Sequence, residues 1–169
     1  MRCHPSRHEV TERGAALIEF AVILPLVLML TFGMVTAGRE YNHKLSISNA
    51  AREGSRYGAT LPVDNFGGIN AWLDDVAAVA VGSAGSDLAP GVAGRRVCVA
   101  LMGDQAGRRD ELGVAGPAYG GGECYVDGRP ADEPRVQVLL ERAGEIDAIA
   151  FDMSVTLTGK AVSRYEVRQ

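Results

Sequence analysis

The sequence predicts an α+β protein with a long N-terminal transmembrane helix that continues into a periplasmic domain with a second helix and a small antiparallel sheet. Two observations predict this fold class. An apolar run long enough to cross a membrane stands near the start of the chain, and three stretches typical of strands follow later. The order of helices followed by strands favours a sheet packed on the exported half of the long helix.

The apolar run extends from Ala15 to Gly38, and Glu19 is its only charged residue. Its 24 residues would form roughly 36 Å of helix, which is enough to cross the hydrocarbon core of a bilayer. Pro25 does not argue against a helix here, because membrane helices tolerate proline better than soluble helices do. The run therefore predicts a single membrane span.

The flanks of the run predict its orientation. Arg2, Arg7 and Arg13 precede it, and the positive-inside rule keeps such a short arm in the cytoplasm. We therefore expect a single-pass protein of the inner (cytoplasmic) membrane whose C-terminal domain is periplasmic. The predicted parts are a leader over 1–14, the transmembrane helix over 15–38, a periplasmic extension of that helix over 39–60, and an α+β domain over 61–169.

Within the exported part, residue patterns predict the following elements. The first helix is expected to run from about residue 15 to 58, with Gly54 and Gly58 marking its end. Alternation and composition predict a second helix over 69–82, strands over 95–102, 134–142 and 150–167, a hairpin connection over 143–148, and a glycine-rich loop over 103–132.

Two of the three cysteines lie in the exported part. Cys98 and Cys124 are an even pair in an oxidising compartment, whereas Cys3 lies in the cytoplasmic arm. The pair predicts a disulfide that ties the glycine-rich loop to a strand. It would stabilise the fold by about 3 kcal/mol on the chain-entropy model. The alternative is two separate buried thiols.

The exported part offers little for catalysis. His43 is its only histidine, since His4 and His8 lie in the arm, and this excludes multi-histidine zinc sites and disfavours Ser-His-Asp or Cys-His catalysis. The glycines near residue 120 lack the lysine of a phosphate-binding loop. The pairs Arg95-Arg96 and Arg108-Arg109 are interpreted as solvated turns. With a net charge of -4 the chain also lacks a nucleic-acid-binding surface. We expect no catalytic, metal or cofactor site.

The stretch "RGAALIEF" places Gly14 five residues before Glu19, which Phe20 follows, at the mouth of the apolar run. This pattern resembles the processing site of type IV prepilins. Together with "NAAREGSRYGAT" it is similar to the N-terminal signature of TadE-like pseudopilins of the tight-adherence pilus system, and "SVTLTGKAVSRYE" resembles the closing strand of that family.

The resemblance implies a non-enzymatic pilus-assembly protein that a prepilin peptidase cleaves between Gly14 and Ala15. It implies that Glu19 and Phe20 act in processing or assembly. The implied partners are the peptidase, other pilus subunits, tight-adherence assembly proteins and inner-membrane lipid, with no nucleic acid. Physically, glycine fits a narrow cleft because it has no side chain. After cleavage, Glu19 of one subunit can neutralise the new α-amino group of a neighbour.

Other interpretations of the N-terminus stay open. The run can be an uncleaved signal anchor whose Glu19 snorkels to the interface. It can also be a secretory signal, with Val35 and Ala37 at the positions that a signal peptidase reads and a soluble domain starting at Gly38. The rival function is a membrane-anchored binding domain that uses the loop over 103–132. A secreted enzyme released at Ala37 is a further alternative.

Overall fold

The computed structural model describes residues 8–103, 106–112, 127–130, 132–148 and 151–166. Within these residues the chain forms two helices followed by four strands. A short 3-10 helix at Val63–Phe66 lies between the two helices, and another at Gly85–Leu88 lies between the second helix and the first strand. The helices are α1 (His8–Thr60) and α2 (Ile69–Ala84). The strands are β1 (Arg96–Met102), β2 (Gly107–Leu112), β3 (Arg135–Ala148) and β4 (Phe151–Arg164). The predicted α+β class, with a long apolar helix, a second helix and a small antiparallel sheet, is confirmed.

The sheet is antiparallel with the strand order β2-β1-β3-β4, and α1 and α2 cover one of its faces. Alternate residues of a strand point to opposite faces of the sheet, so every second residue of β1 faces the two helices. Cys98 and Ala100 lie on the opposite face from the helices and are also fully buried. The helix-covered face contains the cross-strand pairs Val97 with Leu140, Val99 with Val138, and Leu101 with Val136.

The first helix starts earlier than the sequence predicted, and it ends at Thr60, where the predicted periplasmic extension ends. It begins at His8 rather than near residue 15, because residues 8–13 contain neither proline nor glycine to stop it. It also passes through Gly54 and Gly58, which the sequence placed at its end. A Cβ atom at Gly54 would lie 2.7 Å from the Cβ of Ala80, and one at Gly58 would lie 2.9 Å from Cζ2 of Trp72. These glycines let α1 and α2 pack closely.

Two predictions about the chain after β1 were wrong. The loop expected over 103–132 contains β2, which pairs with β1 along the free edge of the sheet. The hairpin connection expected over 143–148 is strand, because β3 continues to Ala148 and pairs there with Phe151 of β4. The residues of the turn itself, 149–150, lie outside the described part, as do 104–105, 113–126 and 131.

Two arginines that the sequence placed in a solvated turn are buried beside β2. Arg95 and Arg96 are only 7% and 3% exposed. Arg95 Nη1 donates to Glu111 Oε1 at 2.6 Å, and Arg96 Nε donates to Asp110 Oδ1 at 2.8 Å. Hydrogen bonds from Arg95 and Arg109 lower the pKa of the Glu111 carboxyl below its usual value. The interpretation as a solvated turn was therefore wrong, and these ion pairs fasten the edge strand to the sheet.

Asp87 joins three elements at the end of the domain nearest the apolar run. His43 Nδ1 of α1 lies 2.6 Å from Asp87 Oδ1, and Arg142 Nη1 of β3 donates to the same oxygen at 3.0 Å. Burial alone would raise the pKa of the Asp87 carboxyl. Hydrogen bonds with Ser46 and His43, together with the charges of His43 and Arg142, outweigh burial and lower that pKa. The ionised carboxylate therefore holds α1, the second 3-10 helix and β3 together.

We expect this cluster to make the domain less stable in acid. A carboxyl whose folded pKa lies below its unfolded value of about 3.9 stabilises the fold above that pH, and the contribution is lost as the pH falls through the folded pKa. Urea unfolding followed by circular dichroism should show the free energy of unfolding falling below about pH 4. Asp87→Asn should remove part of this fall and cost about 1–3 kcal/mol at pH 7. An unchanged pH profile in that variant would contradict the assignment.

Candidate membrane anchor and processing site

The first half of α1 has no packing partner within the part of the chain that the structure describes. From Gly14 to Phe32 every residue is exposed, and Leu17 and Met34 are 70% and 73% exposed. The helix is long and apolar enough to cross a membrane, and its most apolar window is not buried by the domain. A continuous apolar surface of this length is far larger than the patches that soluble monomers expose. It is compatible with a single-pass membrane anchor.

The polar side chains of the apolar segment behave in two different ways. Thr31 Oγ1 donates to the carbonyl of Val27 at 2.8 Å, and Thr36 Oγ1 donates to the carbonyl of Phe32 at 3.1 Å. Both hydroxyls are thus satisfied within the helix, as lipid requires. Glu19 is exposed and forms no ion pair with any described residue. Its carboxylate is therefore the one polar group between 15 and 38 that the described helix does not satisfy.

Gly14 and Ala15, the predicted cleavage residues, lie inside α1 and are exposed. A Cβ atom built at Gly14 meets nothing within 4 Å. Glu19 follows Ala15 by four residues, so the two lie on the same face, one helical turn apart. Phe20 is 61% exposed on the neighbouring position. The structure therefore places the four predicted residues on one accessible stretch of helix, free of contacts with the domain.

The domain begins to cover α1 only after Gly38. Ile47 is the first fully buried apolar side chain of the helix, followed by Ala50 and Ala51. Tyr41 and Leu45 are 61% and 43% exposed and lie outside this contact. One continuous helix thus presents an exposed apolar surface on the N-terminal side of Gly38 and packs against the domain on the C-terminal side.

Cys98 is fully buried in β1 and is disulfide-bonded. Cys124 lies outside the described residues, so its pairing with Cys98 stays a prediction.

Among the described residues no group of three or more histidine, cysteine or acidic side chains is placed to hold a metal ion. The adjacent residues Asp74 and Asp75 bind different partners. Asp74 forms an ion pair with Arg109, and Asp75 accepts a hydrogen bond from Tyr57 at 2.7 Å.

The comparison with protein families decides what this helix resembles. The family model described as TadE-like protein matches residues 14–56. This segment is similar to TadE-like proteins. The resemblance seen in the sequence is confirmed over these 43 of the 169 residues, about a quarter of the chain. No curated protein and no solved structure matches the chain. The TadE-like segment contains the apolar surface, Glu19 and the first part of the domain contact, and it begins at Gly14.

Proposed function

We propose that the chain is a TadE-like minor pilin or pseudopilin that takes part in assembling a tight-adherence pilus. A prepilin peptidase would cleave it between Gly14 and Ala15. The observation that carries the proposal is the coincidence at Gly14: the family match begins there, and the exposed apolar part of α1 follows directly. The role is structural, through contacts of α1 in the membrane, rather than enzymatic.

Glu19 is the residue through which subunits would recognise one another. Cleavage creates an α-amino group at Ala15, and this positive charge would lie in or near the lipid. A carboxylate within lipid is costly alone, and the described part of the chain offers Glu19 no partner. Pairing the carboxylate of one subunit with the amino group of its neighbour neutralises both charges. This gives a subunit that is stable in the membrane and preferentially binds other processed subunits.

The remaining parts of the proposal follow from the orientation. The domain from residue 61 onward would be periplasmic, with the TadE-like helix anchoring it in the inner membrane. The expected partners are the peptidase, other pilus subunits and tight-adherence assembly proteins. The predicted disulfide between Cys98 and Cys124 would hold the segment after β2 against the sheet in that oxidising compartment.

Glu19→Gln tests the proposal, since it removes the charge and keeps the shape. In cells that lack the native gene, the wild-type chain should restore surface pili, whereas the variant should reduce them by about tenfold or more, the factor expected for losing about 1.4 kcal/mol of pairing energy. Pili would be quantified by shearing and immunoblotting. Glu53→Gln is the matched control, because Glu53 lies exposed on the same helix beyond the membrane segment.

Two outcomes would contradict the proposal. Normal pili in cells without the chain would remove its role in assembly and favour the membrane-anchored binding domain. Full restoration by Glu19→Gln would remove the pairing role of the carboxylate. Membrane fractionation of each variant shows whether the chain is inserted at normal levels.

A further inference from the structure

A groove opens where α1 leaves the apolar segment and meets the end of the β3–β4 hairpin. Its volume is about 500 Å³. The hairpin runs along α1, with Gly144 beside Glu40 at one end and Glu166 N donating to the carbonyl of Ala59 at the other. The groove therefore lies at the boundary between the apolar segment and the domain. Its walls include Ala37, Glu40, Tyr41 and Lys44 from α1, and Val155 and Leu157 from β4.

Glu40, which lines this groove, has one carboxylate oxygen without a partner in the part of the chain that the structure describes. Glu40 Oε2 is buried and has no hydrogen-bond partner among the described residues, not even Lys44 one turn away. It lies against the backbone of Gly144, where a side chain would collide with it. A buried carboxylate oxygen left unpaired costs free energy, so the site favours a ligand that brings a positively charged donor.

The other walls specify the rest of the ligand. Lys44, which follows Glu40 by one helical turn on the same face of α1, supplies a positive charge to the same wall. Ala37, Tyr41 and Leu157 make the intervening surface mostly apolar. The pattern is a negative and a positive group side by side above an apolar wall that continues into the exposed apolar helix. A zwitterionic headgroup joined to hydrocarbon chains has the complementary pattern.

We propose that this groove binds a phospholipid whose headgroup carries a primary ammonium group, such as phosphatidylethanolamine. The ammonium donates to Glu40, the phosphate contacts Lys44, and the glycerol end lies against Tyr41 and Leu157. The acyl chains then follow the apolar surface of α1 below Ala37. A bound lipid of this kind fixes the height of the domain above the membrane. The proposal requires only that α1 spans the bilayer, and it depends on neither cleavage at Gly14 nor pilus assembly.

The test is native mass spectrometry of the full chain released from nanodiscs. One set contains phosphatidylethanolamine with phosphatidylglycerol, and the other contains phosphatidylcholine, whose methylated ammonium cannot donate a hydrogen bond, with phosphatidylglycerol. The wild-type chain should retain one phosphatidylethanolamine molecule. Retention should fall about tenfold for Glu40→Gln, the effect of losing one charge-assisted hydrogen bond, and phosphatidylcholine should be retained about as poorly. Glu53→Gln should behave as the wild type.

Several results would overturn the proposal. Equal retention by Glu40→Gln, or equal retention of phosphatidylcholine, would show that the groove does not recognise an ammonium group. Cross-links from a Tyr41→Cys chain to a second copy, with no lipid retained, would assign the groove to a neighbouring subunit instead. Circular dichroism of each variant establishes that the domain is folded. A chain that starts at Met1 and one that starts at Ala15 should give the same result, which separates this test from that of the proposed function.

Discussion

A Gly14→Asp chain is expected to insert into the membrane and to remain uncleaved when the prepilin peptidase is present. Gly14 lies within a continuous helix, so the peptidase must bind this stretch after it has opened locally. Glycine makes such opening easier by about 1 kcal/mol relative to alanine, and it adds no side chain to the cleft. Since a Cβ at Gly14 meets nothing within 4 Å, the substitution leaves the folded chain unstrained. Lost cleavage would therefore report on the peptidase step.

A graded series makes this prediction sharper. Gly14→Ala should slow cleavage least, Gly14→Val more, and Gly14→Asp most, because the site excludes bulk and charge. The cleaved fraction is read from gel mobility after co-expression with the peptidase. Gly33→Ala is the matched control, since Gly33 lies in the same helix and a Cβ there also meets nothing within 4 Å. Efficient processing of Gly14→Asp would contradict the assignment of Gly14 as the recognition residue.

Trp72→Ala is expected to cost about 3–5 kcal/mol of folding free energy, which can exceed half the stability of an ordinary domain. Trp72 of α2 is fully buried, and its ring packs against α1 at Gly58. Its Nε1 donates to the carbonyl of Leu61 at 3.1 Å, and its ring meets that of Tyr165 edge to face at 6.3 Å. The substitution leaves a cavity at the junction of the two helices and the end of β4, and the Leu61 carbonyl keeps only the hydrogen bond from Tyr165.

Urea unfolding of the full chain in detergent, followed by circular dichroism, measures this cost. Tyr41→Ala is the control, because Tyr41 is an aromatic residue of α1 that is 61% exposed. It should change the free energy of unfolding by no more than about 0.5 kcal/mol. A loss below about 1 kcal/mol for Trp72→Ala would show that the packing of α1 on α2 does not stabilise the domain.

Local sequence patterns predicted those helices and strands for which one feature, such as hydrophobicity or alternation, is sufficient. The apolar run predicted the long helix α1, and the alternation of Val97, Val99 and Leu101 predicted the strand β1. The strand β2 was missed because "GRRDEL" is dense in charge, and its side chains are satisfied by Arg95, Arg96 and Asp74 from elsewhere in the chain. No sequence window reveals such partners.

The sequence also did not predict that arginine side chains would be buried. Arg135 is 2% exposed, and its guanidinium binds both carboxylate oxygens of Asp127, at 2.9 and 3.0 Å. It also donates to the carbonyls of Pro130 and Glu133. Arginine is rarely buried, so composition argues for exposure until the partners are known. The predicted processing site is different in kind, because it depends only on the spacing of Gly14 and Glu19 along one helix, and the role of these residues stays a prediction.

The groove beside Glu40 was also invisible in the sequence. Glu40 and Gly144 stand more than a hundred residues apart, and nothing in either stretch indicates that they meet. Their contact depends on β3 extending through residues that composition favours as a turn. The sequence therefore predicted the long apolar helix but not the groove beside it.

The most direct test of the proposed role is the intact mass of the chain recovered from membranes, with and without its prepilin peptidase. Cleavage predicts a chain that begins at Ala15 when the peptidase is present and at Met1 when it is absent. A chain that begins at Met1 in both cases would contradict processing and leave an uncleaved anchor. One that begins at Gly38 would mean a secreted domain, in which Glu19 plays no part in subunit pairing.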